Sequence, residues 1–187
     1  MNHKLFKKYC FISELDKEYI KSLDNKITII FRNYDTKYNL EKLKLVLSFC
    51  HLLGKKIILA NNPKIALKLK LDGVYIPAFN KKIYYNLLRS KNNFDVLGSA
   101  HNLKEIRLKE KQGVDVIFLS PLFKVYKSKY FLGINRFNNL AKLSQRKIIA
   151  LGGINNKNFK VLNFINAQGF ASISFFKKAK KNGPKIN

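Results

Sequence analysis

A backbone comes closest to a bound anion where it lacks side chains, and this chain places two glycines together in Ala150-Leu151-Gly152-Gly153-Ile154-Asn155. Without a Cβ their N–H groups can approach phosphate oxygens, and a short helix behind them would add its N-terminal dipole. Further on, Ala171-Ser172-Ile173-Ser174 offers a hydroxyl and main-chain amides of the kind that donate to phosphate. Gly152, Gly153, Ile173 and Ser174 are therefore the candidate phosphate-binding residues. A Gly-Gly pair can also mark only a tight turn, so its pairing with Ser174 carries the argument.

A second candidate is the loop Ser120-Pro121-Leu122-Phe123-Lys124-Val125-Tyr126-Lys127-Ser128-Lys129. Its three lysines and Ser128 could clamp a diphosphate, the lysines acting as mobile point charges. In so basic a chain the same residues also read as a solvated loop. His101, with Glu105 one turn on, fits a surface or capping role better than general acid–base work. No Ser, His and Asp set suggests a nucleophilic triad, and no Cys and His cluster suggests zinc.

Short apolar runs punctuate the chain and imply strands over Lys8–Ser13, Ile27–Arg32, Lys56–Asn61, Asp72–Ile76, Phe94–Ser99, Val114–Pro121, Lys147–Gly152 and Phe170–Ser174. Helical periodicity fills the gaps at Lys17–Leu23, Leu40–Leu53, Pro63–Leu71, Lys81–Ser90, Leu103–Gln112, Asn135–Leu143 and Asn156–Ile165. Asn62 before Pro63 and Asn102 before Leu103 are helix-start signals. Alternation of this kind predicts an α/β fold, a (β/α)8 TIM barrel, with an open doubly wound sheet as the competing architecture. In a barrel, chemistry sits at the C-terminal strand ends. That rule gathers Arg32, Asn61, Tyr75 to Asn80, Ser99, Ser120 to Phe123, the Gly152-Gly153 pair, Ile173 and Ser174 into one candidate site.

A chain of 187 residues with 47% apolar content supports one core rather than two domains. Residues 1–176 are read as the barrel, and 177–187 as a basic, fraying tail. The formal net charge of +26 would attract polyanions, yet lysines occur in every segment instead of one stripe, which argues for a solvated basic surface over a nucleic-acid interface. Cys10 and Cys50 lie in apolar surroundings without metal-ligand spacing and read as reduced core thiols of a cytoplasmic protein. Neither a signal peptide nor an apolar run of membrane-spanning length is evident, so no membrane partner is expected.

Taken in order, Asp72-Gly73-Val74-Tyr75-Ile76, Gly98-Ser99-Ala100-His101-Asn102 with Glu105, Asp115 through Ser120-Pro121-Leu122-Phe123, Ala150-Leu151-Gly152-Gly153-Ile154, and Gly169-Phe170-Ala171-Ser172-Ile173-Ser174 resemble the signature of thiamine phosphate synthases and their thiazole tautomerase relatives. The resemblance spans roughly Lys56 to Phe176 and implies a transferase of thiamine biosynthesis. Hydroxymethylpyrimidine diphosphate would lose pyrophosphate and be captured by the nitrogen of a thiazole phosphate, giving thiamine phosphate. It also implies that Arg32, Ser99 and Lys127 or Lys129 face the diphosphate or pyrimidine as catalytic residues, that Gly152, Gly153, Ile173 and Ser174 hold the thiazole phosphate, and that Mg²⁺ is the cofactor.

The departures fall at the metal end. Asn61 and Asn80 stand where the family's two magnesium-binding aspartates belong, so any metal role falls on two carboxamides that bring no charge to a hard cation. Tyr34 replaces a basic residue, Tyr75 a histidine, Val125 and Lys127 a pair of threonines, and Pro121 stands where the tautomerases have a histidine. A synthase-like enzyme acting on small phosphorylated substrates is therefore the expectation. The alternative is a non-catalytic barrel that binds a phosphorylated thiazole or thiamine-like ligand. Neither the substrate's finer identity nor the oligomeric state is legible.

Overall fold

The computed structural model describes residues 6–34, 40–84, 92–126 and 128–177. In chain order these form β1 (Lys7–Ile12), α1 (Lys17–Ser22), β2 (Ile27–Phe31), α2 (Leu40–Leu52), β3 (Ile57–Ala60), α3 (Pro63–Lys68), β4 (Gly73–Ile76), β5 (Asp95–Ala100), α4 (Leu103–Lys111), β6 (Val116–Leu119), α5 (Gly133–Leu143), β7 (Lys147–Leu151), a 3₁₀ helix (Phe159–Phe164) and β8 (Gly169–Ser172). Each strand pairs in parallel with the next, and β8 returns to pair with β1 through Lys7↔Gly169 to Cys10↔Ser172. The ring is closed, as a (β/α)8 barrel requires, and the open-sheet alternative is excluded.

Local chemistry accounts for the helix starts. Asp16, Asn62 and Asn102 cap α1, α3 and α4, each side-chain oxygen accepting the N–H of Tyr19, Ile65 and Glu105 respectively. Three expectations need correction. Strand β6 stops at Leu119, short of Pro121, which has no N–H for the ladder; Leu122 donates instead to Leu151. The segment expected as a helix from Asn156 is a 3₁₀ helix beginning at Phe159, because Asn155 and Asn158 fold the preceding residues into side-chain-capped turns. Residues 81–84 are not helical, and the rest of the helix expected over Lys81–Ser90 lies outside the described residues, as does the tail beyond Lys177.

Strand alternation sorts the core into two shells. Cys10, Ile12, Ile29, Ile57, Leu59, Val74, Ile76, Ile117 and Leu119 face the helices, with Cys50 of α2 among their neighbours. Tyr9, Phe11, Ile30, Ile58, Tyr75, Leu97, Val116, Phe118 and Ile149 fill the barrel interior. At its centre Phe118 packs edge-on against Tyr9, Phe11 and Tyr75, with ring centroids 4.9, 6.2 and 5.4 Å apart. Asp72 and Asp115, both within the family-like segments, lie at the opposite, N-terminal end of the strands. There their carboxylates accept the N–H groups of Ile57 and Val96, a strand-pairing task far from any candidate chemistry.

Phe118→Ala should lower stability by about 3–5 kcal/mol, as for other buried aromatic truncations, measured by denaturant unfolding. Burial pushes the Cys50 thiol up to about 11 and also raises that of Cys10. Because the thiolate is the reactive form, both should resist iodoacetamide in the native protein at neutral pH and react on unfolding, read by mass spectrometry.

Candidate active site

Parallel closure puts every C-terminal strand end on one rim, so Arg32, Asn61, Ser99, Gly152, Gly153, Ile173 and Ser174 share it. Around that rim the candidates divide into two sectors of different character.

The β6–β8 sector is built on backbone. Gly152 and Gly153 both have positive φ, +97° and +71°, a region L side chains rarely adopt. A Cβ on Gly152 would lie 2.7 Å from Pro121 Cβ, and one on Gly153 2.7 Å from the Lys124 carbonyl oxygen. The pair is thus the seat of the loop after β6, which is anchored by Leu122 N–H to Leu151 O and Phe123 N–H to Gly152 O. The far end of that loop is stapled back by Leu132 N–H to Pro121 O and Gly133 N–H to Leu122 O, at 2.9 and 3.0 Å. The hydroxyl of Ser128 is used inside the loop, donating to Tyr130 O. Lys124 and Lys129 are exposed, while Lys127 lies outside the described residues. After β8, the buried Ser172 hydroxyl accepts the N–H groups of Ser174 and Phe175 and shapes a turn that leaves Ile173 and Ser174 exposed on the rim.

The β2–β5 sector is built on side chains. The Arg32 guanidinium sits 5.2 Å from the Phe11 ring centroid and 6.0 Å from that of Tyr34, and Tyr34 packs edge-on against Phe79 at 5.4 Å. Arg32 also lines a cleft with Ser13, Glu14, Asp16, Ile173 and Lys177, so the closed ring brings the β2 end and the β8 end together. Ser99 is buried; its hydroxyl accepts the Ala78 N–H at 3.0 Å and is hydrogen-bonded to Tyr75, whose phenol burial pushes well above its usual range. His101 fulfils the capping expectation: Glu105 accepts both its main-chain N–H and its Nδ1 at 2.8 Å, while Asn102 caps the helix.

The positions expected to carry magnesium do not fit a hard dication. Asn80 Nδ2 donates to Asn61 Oδ1 at 2.7 Å, and Asn80 Oδ1 accepts the Lys82 N–H at 2.9 Å. Both amide oxygens are committed, and neither carries charge. Among the described residues no three His, Cys, Asp or Glu side chains stand together as a metal-ligand group.

Sequence reasoning missed Lys109 and Gln112. Lys109 is fully buried on α4 and its pKa is lowered to about 8 by burial, with Glu105 acting in the opposite direction. By sequence Lys109 counts with Lys42, Lys44, Lys104 and Lys111 among the lysines of exposed helix faces, and the structure corrects this, because helical periodicity alone gives no sign that one of several lysines turns inward. The cleft residues Glu14 and Lys177 were missed for a different reason, since only closure of β8 on β1 makes them neighbours.

These features define a TIM barrel with cations around its C-terminal rim. Residues 14–176 match the family described as thiamine monophosphate synthase, and the chain belongs to that family, a group of transferases. Its relatives include a protein of Aquifex aeolicus provisionally named thiamine-phosphate synthase 2, 34% identical over 127 residues, which cover 65% of this chain and 67% of that one. The thiamine-phosphate synthase of Limosilactobacillus reuteri is 27% identical over 68% of this chain and 61% of its own length. Thiamine phosphate pyrophosphorylase from Pyrococcus furiosus superposes with a TM-score of 0.72 over 91% of this chain and 87% of that chain; at 20% identity this shows the fold.

Gly152→Ala and Gly153→Ala should each destabilise the protein by about 1–3 kcal/mol, since both the positive φ and the close approach of the β6 loop forbid a methyl group. Thermal unfolding reads the loss, and titration with inorganic phosphate should show weakened binding.

Proposed function

We infer that the protein joins hydroxymethylpyrimidine diphosphate to a thiazole phosphate, producing thiamine phosphate and pyrophosphate. The observation that carries this reading is the family match over residues 14–176, supported by relatives named thiamine-phosphate synthase. In the reaction the bond from the pyrimidine's methylene carbon to the ester oxygen of the diphosphate breaks, and its electron pair leaves with pyrophosphate. The lone pair of the thiazole nitrogen then forms the new C–N bond.

The barrier to this step is electrostatic, because charge develops on the leaving oxygens as the bond breaks. Fixed cations placed beforehand lower it without reorganisation. Arg32 suits that task, being half-buried and stacked between Phe11 and Tyr34, so its orientation is set before substrate arrives. Lys129, together with Lys127, supplies mobile charge from the β6 loop. Ser99 contributes by holding Ala78 rather than by meeting the diphosphate directly. Gly152, Gly153, Ile173 and Ser174 hold the thiazole phosphate in the other sector, leaving the ring nitrogen to meet the pyrimidine's methylene carbon. Magnesium is the cofactor the family implies, but Asn61 and Asn80 do not suit it, so no step is assigned to it.

An assay of the full chain with both substrates, read as thiamine phosphate by chromatography, should yield product. Arg32→Ala should lower kcat/KM by about 100-fold, the scale of losing one preorganised charge-stabilising donor. A wild-type protein that binds thiazole phosphate yet makes no product at high enzyme would replace this reading with that of a binding barrel.

A further inference from the structure

The loop after β4, residues 77–82, hangs from α4 by side chains that no reaction role explains. The three protons of the Lys109 ammonium reach Pro77 O at 2.9 Å, Asn80 O at 3.0 Å and Gln112 Oε1 at 2.8 Å. Gln112 Nε2 adds bonds to Asn80 O at 3.0 Å and Lys82 O at 2.8 Å. A neutral amine has only two hydrogens, so satisfying three acceptors requires the charged form. A lysine is almost never fully buried without such partners. Room for its stem comes from Gly98 on β5, where a Cβ would stand 2.9 Å from Lys109 Cδ.

On its other face the same loop carries Phe79 and Asn80. Phe79 meets Tyr34, and Tyr34 meets the Arg32 guanidinium. Asn80 closes the loop onto Asn61 at the end of β3 through the 2.7 Å amide bond. A dication at Asn61 and Asn80 would have to break that bond and would face an ammonium already bound to the Asn80 carbonyl, and neither asparagine brings a negative charge of its own. The organising cation of this sector is therefore already present, and it is covalently part of the chain.

We propose that Lys109 is a positioning residue whose buried ammonium, rather than a divalent metal ion, holds the β4 loop and through it Arg32, so that pyrophosphate binding at this rim does not depend on metal. The pyrophosphate part rests on the function inferred above; the loop-holding part stands without it.

The full chain provides two tests that need no turnover. Hydrogen exchange at residues 78–82 should be unchanged by magnesium chloride in the wild type. It should accelerate by about tenfold or more in Lys109→Met, the scale of losing hydrogen bonds from a buried charge, with β1 to β3 unaffected. Calorimetry should show Lys109→Met binding inorganic pyrophosphate about tenfold more weakly, a comparable loss, while inorganic phosphate binding is unchanged. Gln112→Leu, which removes two loop bonds and one of the ammonium's three acceptors but keeps the two bonds from Lys109 to the loop, should accelerate the same amides if Lys109→Met does not fold. Titration with manganese, read by electron paramagnetic resonance, should show no stoichiometric site in the wild type and a gained site in Asn61→Asp, Asn80→Asp. The proposal is overturned by a wild-type manganese site that Asn61→Ala abolishes, by loop exchange unmoved in these variants, or by equal losses for phosphate and pyrophosphate. A failed synthase assay with the exchange result intact would sink only the function.

Discussion

The pairing of β8 with β1 is the constraint on which everything else depends. Until Gly169 to Ser172 lie beside Lys7 to Cys10, the strand ends form a line rather than a ring, and Arg32 and Ile173 share no cleft. What makes closure favourable is the interior it creates. Tyr9, Phe11, Tyr75 and Phe118 come from β1, β4 and β6, and they bury one another only when the sheet curls completely. Burial of this size outweighs the entropy of ordering strands that are distant in sequence.

The closed rim is asymmetric. Its β6–β8 sector relies on main chain: glycines in left-handed conformations, a stapled loop, and a hydroxyl-capped turn. Such a surface is shaped by main-chain groups, whose N–H donors every residue but proline possesses. The β2–β5 sector relies on particular side chains, namely the contacts among Arg32, Tyr34 and Phe79 and the amide bond between Asn61 and Asn80.

Charge follows the same division. With 37 Lys and Arg against 11 Asp and Glu, the molecule has few acidic groups to spare. Asp72 and Asp115 serve strand pairing at the far end of the barrel, and Glu105 serves the α4 cap. Cations are abundant instead, and the protein buries two of them among the described residues, Lys55 and Lys109, the second bonded three ways. Burying that charge is tolerable only because each of its protons meets an acceptor.

Short apolar runs, helical periodicity and the asparagine caps determined the eight strands, the helices at Leu40, Pro63 and Leu103, and the alternation that makes a barrel, because those signals are local and depend only on neighbouring residues. Family membership and the Gly152-Gly153 turn were legible in the same way, as short strings. Tertiary structure alone decided that Ser99 is committed to Ala78 and that Asn61 bonds to Asn80. It alone decided that Gly152 and Gly153 seat the β6 loop and that Lys109 turns inward beneath Pro77 and Asn80. Each of those joins residues from different βα units, and no periodicity within one unit encodes what the next will bring against it. A side chain's partner is set by where the closed ring places it, whereas its tendency to be helix or strand is set by its own chain neighbours.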